Sequence, residues 1–270
     1  MKNRKIVLIT GSSSGMGRET AIFLAEIGFV VYAGSRRPQR LDDIKSKNLI
    51  PIELDITDTK SIKRAIESID KIDILVNNAG YGLVSTVEEL DEDEMFNQFN
   101  INVFGLLRVS KAVIPIMRRE RFGVIINISS FLGKIGLPLL TIYNASKYAV
   151  EGVTDSLRYE LRDFGIRVHS IMPGFFDTEF ARSNLVTNLK TFDKNSPYAE
   201  MVSNLAPNIV RQINSGNSVK EVAKLILEII EDEKFPARVT VGDKASKFIP
   251  MRRELSDEDF ERRVREYYNL

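Results

Sequence analysis

Ile6-Val7-Leu8-Ile9-Thr10-Gly11-Ser12-Ser13-Ser14-Gly15-Met16-Gly17 is the stretch that decides how this chain folds. Residues 5–10 form an apolar, β-branched run, the pattern of a strand buried on both faces of a parallel sheet. From Arg18 to Ile27 the apolar residues Ala21, Ile22, Leu24 and Ala25 recur at helical spacing. The glycines therefore occupy a strand-to-helix turn. There Gly11 permits the tight turn, Gly15 lets backbone approach a pyrophosphate, and Gly17 lets helix pack closely on strand. The helix N-terminus offers unpaired amides to the phosphates. A Gly/Ser-rich turn with no ligand is the plain alternative. No Gly-Lys-Ser/Thr follows, which excludes a phosphate loop of the nucleotidase type.

The same alternation continues along the chain. Strand patterns fall at 5–10, 29–34, 49–54, 73–76, 123–128, 166–172 and 238–241, and helical patterns at 16–27, 59–69, 93–119, 142–163 and 218–232. Pro115 lies inside the third helical pattern and predicts a kink or break there. Strands alternating with helices predict an α/β, doubly wound parallel sheet of about seven strands, with helices on both faces. Residues 1–270 are read as one domain, with no repeat and no low-complexity linker. Such sheets bind ligands beyond the carboxyl ends of their strands. Gly11, Arg36, Asp55, Ala79, Ser130 and Pro173 all lie just after a strand pattern.

Composition narrows the function classes. The 270 residues are 43% hydrophobic, enough for a large core, and the net charge of +1 comes from interspersed acids and bases. Nucleic-acid binding needs a concentrated basic surface, which this pattern lacks. With no cysteine and one histidine, His169, neither a disulfide framework nor a thiolate or histidine-rich metal site is expected. His169 falls in a strand pattern and reads as structural. No apolar run approaches bilayer-spanning length, and the first strand starts at once, leaving no room for a signal peptide. A soluble, cytoplasmic protein is expected.

Tyr143 and Lys147 stand four residues apart in Tyr143-Asn144-Ala145-Ser146-Lys147, and Ser130 lies thirteen residues upstream. On a helix, positions i and i+4 share a face. A free tyrosine has a pKa of about 10 and exchanges protons poorly near neutrality. A neighbouring ammonium favours the phenolate and brings that pKa towards the working range. The Ser130 hydroxyl would hydrogen-bond the oxygen on which charge develops. Taken alone, the spacing also fits a half-exposed tyrosine beside a solvated lysine.

Thr10-Gly11-x-x-x-Gly15-x-Gly17, Asn77-Asn78-Ala79-Gly80, Asn102, Ser130, Tyr143-x-x-x-Lys147 and Pro173-Gly174 follow one another in the order found in single-domain short-chain dehydrogenases/reductases. The chain resembles that family over about residues 4–180, and by architecture beyond. The resemblance implies a Rossmann-like fold and a nicotinamide cofactor. It places Gly11, Ser13, Ser14, Gly15, Met16 and Gly17 at the cofactor, Asp55 and Ile56 by the adenine, and Asn78, Ala79 and Gly80 along the adenosine side. Pro173, Gly174 and Thr178 would meet the nicotinamide carboxamide. The catalytic set implied is Asn102, Ser130, Tyr143 and Lys147, with Lys147 also holding the nicotinamide ribose and Asn102 a water of the proton relay. Ser129 competes with Ser130, and the offset to the tyrosine favours Ser130. As a bare feature, Asp55 equally fits a cap for the helix near Ser61, and Asn102 a solvated mid-helix side chain.

Relatives that prefer NAD usually end the second strand with an acid. Here Ser35 and Arg36 stand there, which points to NADP(H), with Arg36 on the 2′-phosphate and Ser35 adding a hydrogen bond. NAD(H) stays possible, and Arg36-Arg37 as a solvated basic turn is the alternative.

Residues 175–217 match the family's substrate lid. Phe175, Phe176, Phe180, Leu185, Leu189, Phe192, Tyr198, Met201 and Leu205 make it apolar, suiting an apolar carbonyl or alcohol, though they equally serve to pack the lid down. The nearest branch acts on hydroxysteroids, retinoids and other bulky ketones. The 3-oxoacyl thioester reductases are the alternative, although here 27 residues follow Gly242-Asp243 where those enzymes end sooner. A non-catalytic NADP-binding regulator would have lost Tyr143, Lys147 or Ser130. The extended epimerase branch spaces its glycines differently. The segment 256–270 carries Phe260, Val264, Tyr267 and Tyr268 at helical spacing and should pack on its own domain or on a sister subunit. Relatives are dimers or tetramers through the helices near 93–119 and 142–163.

Overall fold

The computed structural model describes residues 4–44, 46–177 and 185–270. β1 (Ile6–Thr10), β2 (Val30–Ser35), β3 (Leu49–Glu53), β4 (Ile74–Asn77), β6 (Gly123–Ile128), β7 (Ile166–Pro173) and β9 (Arg238–Val241) form one sheet. Their order is β3-β2-β1-β4-β6-β7-β9, and every pairing is parallel. The sequence therefore locates each of these seven strands to within a residue or so. Val7, Leu8 and Ile9 of β1 are fully buried, as a strand covered on both faces requires.

Helices α1 (Gly15–Glu26) and α7 (Lys220–Glu231) cover one face; α2 (Thr59–Glu67), α4 (Leu106–Glu120) and α5 (Thr141–Leu161) cover the other. The chain reverses direction across the sheet between β1 and β4, so a crevice opens at their carboxyl ends. His169 is buried, with Nδ1 on the Pro236 carbonyl at 3.0 Å and Nε2 beside Arg167, a structural role.

Pro115 breaks nothing: α4 runs through it. The interruption falls earlier. α3 (Glu92–Phe99) passes into a π-helical turn, Asn100–Gly105, before α4 begins. Gly105 is needed there because a Cβ would stand 2.5 Å from Ile56 Cδ1. The wider turn swings Asn102 inward, where it is 2% exposed. Contrary to the sequence expectation, the continuous stretch Glu92–Glu120 has the length and composition of a membrane span. Its Val103, Leu106, Val109, Val113 and Met117 face the interior.

The segment 175–217 is structured wherever it is described. β5 (Gly82–Val84) pairs in parallel with β8 (Leu185–Thr187), and α6 (Ala199–Asn214) follows. Neither the small sheet nor α6 was anticipated, nor was α8 (Asp243–Glu254). α9 (Asp257–Tyr268) buries Phe260, Val264 and Tyr268 against α6 and α8 of its own chain. This third core, with Phe131, Leu132 and Leu205, closes one end of the crevice.

Candidate active site

A cavity of about 520 Å³ lies at the sheet's carboxyl edge. At one end stands the glycine turn. Gly11 has φ +69° and Gly15 φ +54°, values that other residues adopt at a cost. A Cβ at Gly11 would lie 2.7 Å from Ala79 Cα, and one at Gly17 2.6 Å from the Gly11 carbonyl. Ser14 precedes α1 without capping it, and no acid stands in the first turn, so the amides there face the cavity with no competing anion. Gly11, Ser13, Ser14, Gly15 and Met16 line the cavity; Gly17 stands behind it as a packing glycine. Asn78 lines the wall, but its Nδ2 donates to the Thr10 and Gly11 carbonyls at 3.0 and 3.1 Å. Thr10 Oγ1 accepts from the Asn78 and Ala79 amides at 3.0 Å each. The Asn78-Ala79-Gly80 segment thus fixes the turn's shape.

Arg36 reaches the cavity, and so do Arg37 and Arg40, which the sequence analysis did not assign to the cofactor. Ser35 Oγ accepts from the Arg37 amide at 3.0 Å and shapes this turn. Asp55 and Ile56 form the opposite wall. Asp55 Oδ1 accepts from the Thr57 amide and hydroxyl at 2.8 and 2.7 Å; it is not a helix cap, because Asp58 caps α2. Pro173 ends β7, and Gly174 lies so close to α8 that a Cβ would stand 3.0 Å from the Ala245 amide. Thr178 lies outside the described residues. A cradle of glycines, uncapped helix amides and three arginines fits a phosphorylated dinucleotide.

Beyond β6, Ser130 begins the 3₁₀ turn Phe131–Gly133, its Oγ accepting from the Leu132 amide at 3.1 Å. The hydroxyl is also hydrogen-bonded to Tyr143. Ser129 instead turns towards Gly133, where its buried Oγ has no hydrogen-bond partner. Both serines line the cavity, and Ser130 is the one hydrogen-bonded to Tyr143. Tyr143 and Lys147 share one face of α5, whose start is set by the Asn144 amide on the Leu140 carbonyl at 2.7 Å and by Asn144 Nδ2 on the Leu137 carbonyl at 3.0 Å. Lys147 Nζ donates to the Ile128 carbonyl at 2.9 Å and lies 5.7 Å from the Tyr143 ring centre.

Burial dominates the electrostatics here. It pushes the Tyr143 phenol up to about 12, against the Ser130 hydrogen bond. It pushes Lys147 down to about 8, against the Glu151 carboxylate. The expectation that Lys147 brings the phenol towards neutrality is not met in this arrangement, because desolvation is the largest influence on the phenol and only the Ser130 hydrogen bond is seen to oppose it. Asn102 does not line the cavity. Its Oδ1 accepts from the Tyr81 amide at 3.0 Å, and its Nδ2 donates to the Tyr81 carbonyl and Ser146 Oγ at 2.9 and 3.0 Å.

The other end of the cavity is apolar. Phe131, Leu132, Leu140, Leu185, Val186, Ile209 and Ile213 wall it, with no charged side chain among them. Phe131 packs edge-on to Phe175 at 5.3 Å. Ile209 and Ile213 were missed, although Val202, Leu205, Ile209 and Ile213 recur at helical spacing. Of the apolar lid residues, Leu189 points to solvent at 85% exposure, and Phe180 lies outside the described residues. The segment after β8 is tied down by Asn188, whose Nδ2 meets the Glu89 carbonyl and Glu94 Oε2, and by Ser196 Oγ on Glu89 Oε1 at 2.6 Å.

The short chain dehydrogenase family pattern matches residues 5–188. A 3-ketodihydrosphingosine reductase of Bacteroides thetaiotaomicron is 36% identical over 242 residues, covering 88% of each chain. The solved structure of a short-chain dehydrogenase from Streptomyces avermitilis superposes with a TM-score of 0.85 at 31% identity, over 99% of this chain and 97% of that one. Another, from Burkholderia cenocepacia in complex with NADP, gives 0.77 at 26% identity over 97% and 98%. Matching motifs, sheet order and relatives agree: the chain belongs to the short-chain dehydrogenase/reductase family of NAD(P)-dependent oxidoreductases.

Proposed function

We propose that the protein uses NADP(H) to interconvert a ketone and a secondary alcohol on a bulky or long-chain apolar molecule. One observation carries the reading. Tyr143, Ser130 and Lys147 line the same cavity as the glycine turn with Arg36, Arg37 and Arg40, and as the uncharged wall of Leu132, Leu140, Ile209 and Ile213. A phosphorylated dinucleotide suits the first end. An apolar substrate suits the second, since burying a charge there without a partner is costly. The hydroxysteroid expected from the sequence is one such molecule; a long-chain keto lipid, after the name of the Bacteroides relative, is another.

Bound there, the cofactor supplies the hydride that reduces the carbonyl carbon. Tyr143 gives its phenolic proton to the carbonyl oxygen as charge develops on it. Ser130, already hydrogen-bonded to Tyr143, donates to the same oxygen and orients the carbonyl. Protonated Lys147, with Nζ 5.7 Å from the Tyr143 ring centre, stabilises the phenolate left behind by Coulomb attraction. Asn102 holds the Tyr81 backbone and α5 in register. We place subunit contacts on the π-helical turn, α4 and α5, where Phe104, Leu107, Tyr148 and Tyr159 stay exposed, and read the enzyme as cytoplasmic.

The test is NADPH oxidation against a carbonyl panel running from small diketones through steroids and long-chain keto amines to 3-oxoacyl thioesters. Turnover of a bulky apolar ketone that disappears in Tyr143→Phe, with NADPH binding kept, is expected. A preference for thioesters would replace the substrate reading. Full activity in Tyr143→Phe would overturn the mechanism.

A further inference from the structure

One buried acid stands directly below the catalytic pair. α5 presents Tyr143, Lys147, Glu151 and Asp155 at successive steps of four, hence along one face. Glu151 is 2% exposed. Its Oε1 accepts from the Ser170 hydroxyl of β7. Its Oε2 accepts from Arg238 Nε of β9 at 2.7 Å and lies 3.6 Å from Lys134 Nζ, just past the Ser130 turn. Arg238 also pairs with Asp155 at 2.5 Å. A Cβ on Gly133 would lie 3.1 Å from Glu151 Cγ, so the turn begun by Ser130 rests on this side chain. Buried ion pairs are a weak source of stability, and replacing them by apolar groups is often neutral. Stability alone is therefore a poor account of a carboxylate placed between two β-strands, the serine turn and the catalytic lysine.

We propose that Glu151 is a positioning residue for proton transfer: its charge, moderated by Arg238, keeps Lys147 protonated beside Tyr143 and seats the Ser130 turn against α5. This rests on the oxidoreductase reading above. Glu151 is the charged side chain that acts on Lys147, and it opposes the fall caused by burial. From the other elements, Lys147 meets neutral groups, the Ile128 carbonyl of β6 and, across Gly80, the Asn102 amide. Lys134, Arg238 and Asp155 reach Lys147 through Glu151, and Arg158 stands beside Asp155.

Opposite charge changes give opposite signs. Glu151→Gln removes an anion and leaves two cations, which disfavours protonated Lys147 and favours the Tyr143 phenolate. The alkaline limb of kcat/KM then moves to lower pH, by about one unit, whichever of the two groups it reports. Arg238→Gln removes a cation, and the limb moves to higher pH.

The experiment measures pH profiles of wild type, Glu151→Gln and Arg238→Gln with NADPH and the best ketone. Circular dichroism melts and NADPH binding run alongside. Limbs displaced in opposite directions support the proposal. Unmoved limbs in folded, NADPH-binding variants, or displacement of both in one direction, overturn it. Should Glu151→Gln fail to fold, Arg238→Gln decides alone by its sign. Ultraviolet titration of the phenol, with Tyr143→Phe subtracted, reads the same displacement without turnover. A wild type inactive on every ketone would thus sink the functional reading while the titration still judges Glu151.

Discussion

Asn102 Nδ2 lies 3.0 Å from Ser146 Oγ, and that hydroxyl donates to the Tyr143 carbonyl at 2.7 Å. The π-helical turn is thereby fastened to the start of α5, which carries Tyr143. Two more bonds from the same side chain hold the Tyr81 amide and carbonyl. Asn102→Leu keeps the volume and removes every one of these bonds. Each buried group left unpaired costs about 1–3 kcal/mol, so a loss of about 3 kcal/mol is expected in chemical denaturation. In the part that stays folded, kcat should fall more than NADPH affinity, because the damage lies on the proton-transfer side. A stability change under about 1 kcal/mol would show that water replaces the amide without penalty.

Lys147 should weaken the folded protein. Burial lowers its folded pKa from 10.5 to about 8. Below pH 8 the folded chain must keep a desolvated ammonium, and that cost is fully present. Between pH 8 and 10.5 the unfolded chain binds more protons than the folded one, so the cost disappears as pH rises. A shift of this size corresponds to about 3 kcal/mol, from which the lost Ile128 hydrogen bond subtracts about 1. Lys147→Met should therefore melt higher than wild type at pH 7 and lose that advantage by pH 10.5, while turnover is abolished. A lower melting temperature at pH 7 would contradict it.

Arg36 should separate the two nicotinamide cofactors. A guanidinium bonding a phosphate through charge-assisted hydrogen bonds contributes about 1.5–3 kcal/mol. Arg36→Ala should then lower kcat/KM for NADPH by about tenfold to a hundredfold, and for NADH by less than about threefold. Arg37 and Arg40 also face the cavity and keep the loss from going further. Equal losses with both cofactors would place Arg36 on a group that the two share.

The sheet and the chemistry were legible for different reasons. Strands buried on both faces leave continuous β-branched runs, so β1, β6 and β7 stand out without reference to any partner. Ser130, Tyr143 and Lys147 sit at a strand end and on one helix face, so local spacing together with the order of the motifs was enough to single them out as candidates. The small β5–β8 sheet is different: each strand has three residues, and the pairing Gly82↔Leu185 spans about a hundred positions. No local pattern marks it. Proline misled the reading of one helix, at Pro115. Pro115, Pro207 and Pro250 all lie inside helices, where each removes a single amide donor while the apolar face keeps the helix docked. The π-helical turn at Asn102 has no propensity signature; its close approach to Ile56 at Gly105 is a contact across the fold that no local pattern marks. The pKa of Tyr143 was misjudged for a related reason: burial belongs to the tertiary structure, whereas Lys147 is visible four residues away.

Ile209 and Ile213 of α6 should set the length of substrate that the enzyme accepts. Both line the apolar end of the cavity and are 4% exposed, while Val202 and Leu205, one to two turns earlier, anchor the same helix in the core. Enlarging the cavity-facing side chain fills the end of the cavity without loosening the helix. Ile209→Phe is therefore expected to lower kcat/KM for long-chain or steroidal ketones by about tenfold, the scale of one or two methylenes misplaced in a hydrophobic pocket. A small diketone, which needs only the volume beside Tyr143 and Ser130, should keep its rate within about twofold. The ratio between the two substrates is the decisive quantity, since a general packing defect lowers both. Equal losses on short and long ketones would mean that the apolar part of the substrate leaves the cavity by another route, along Leu185 and Val186.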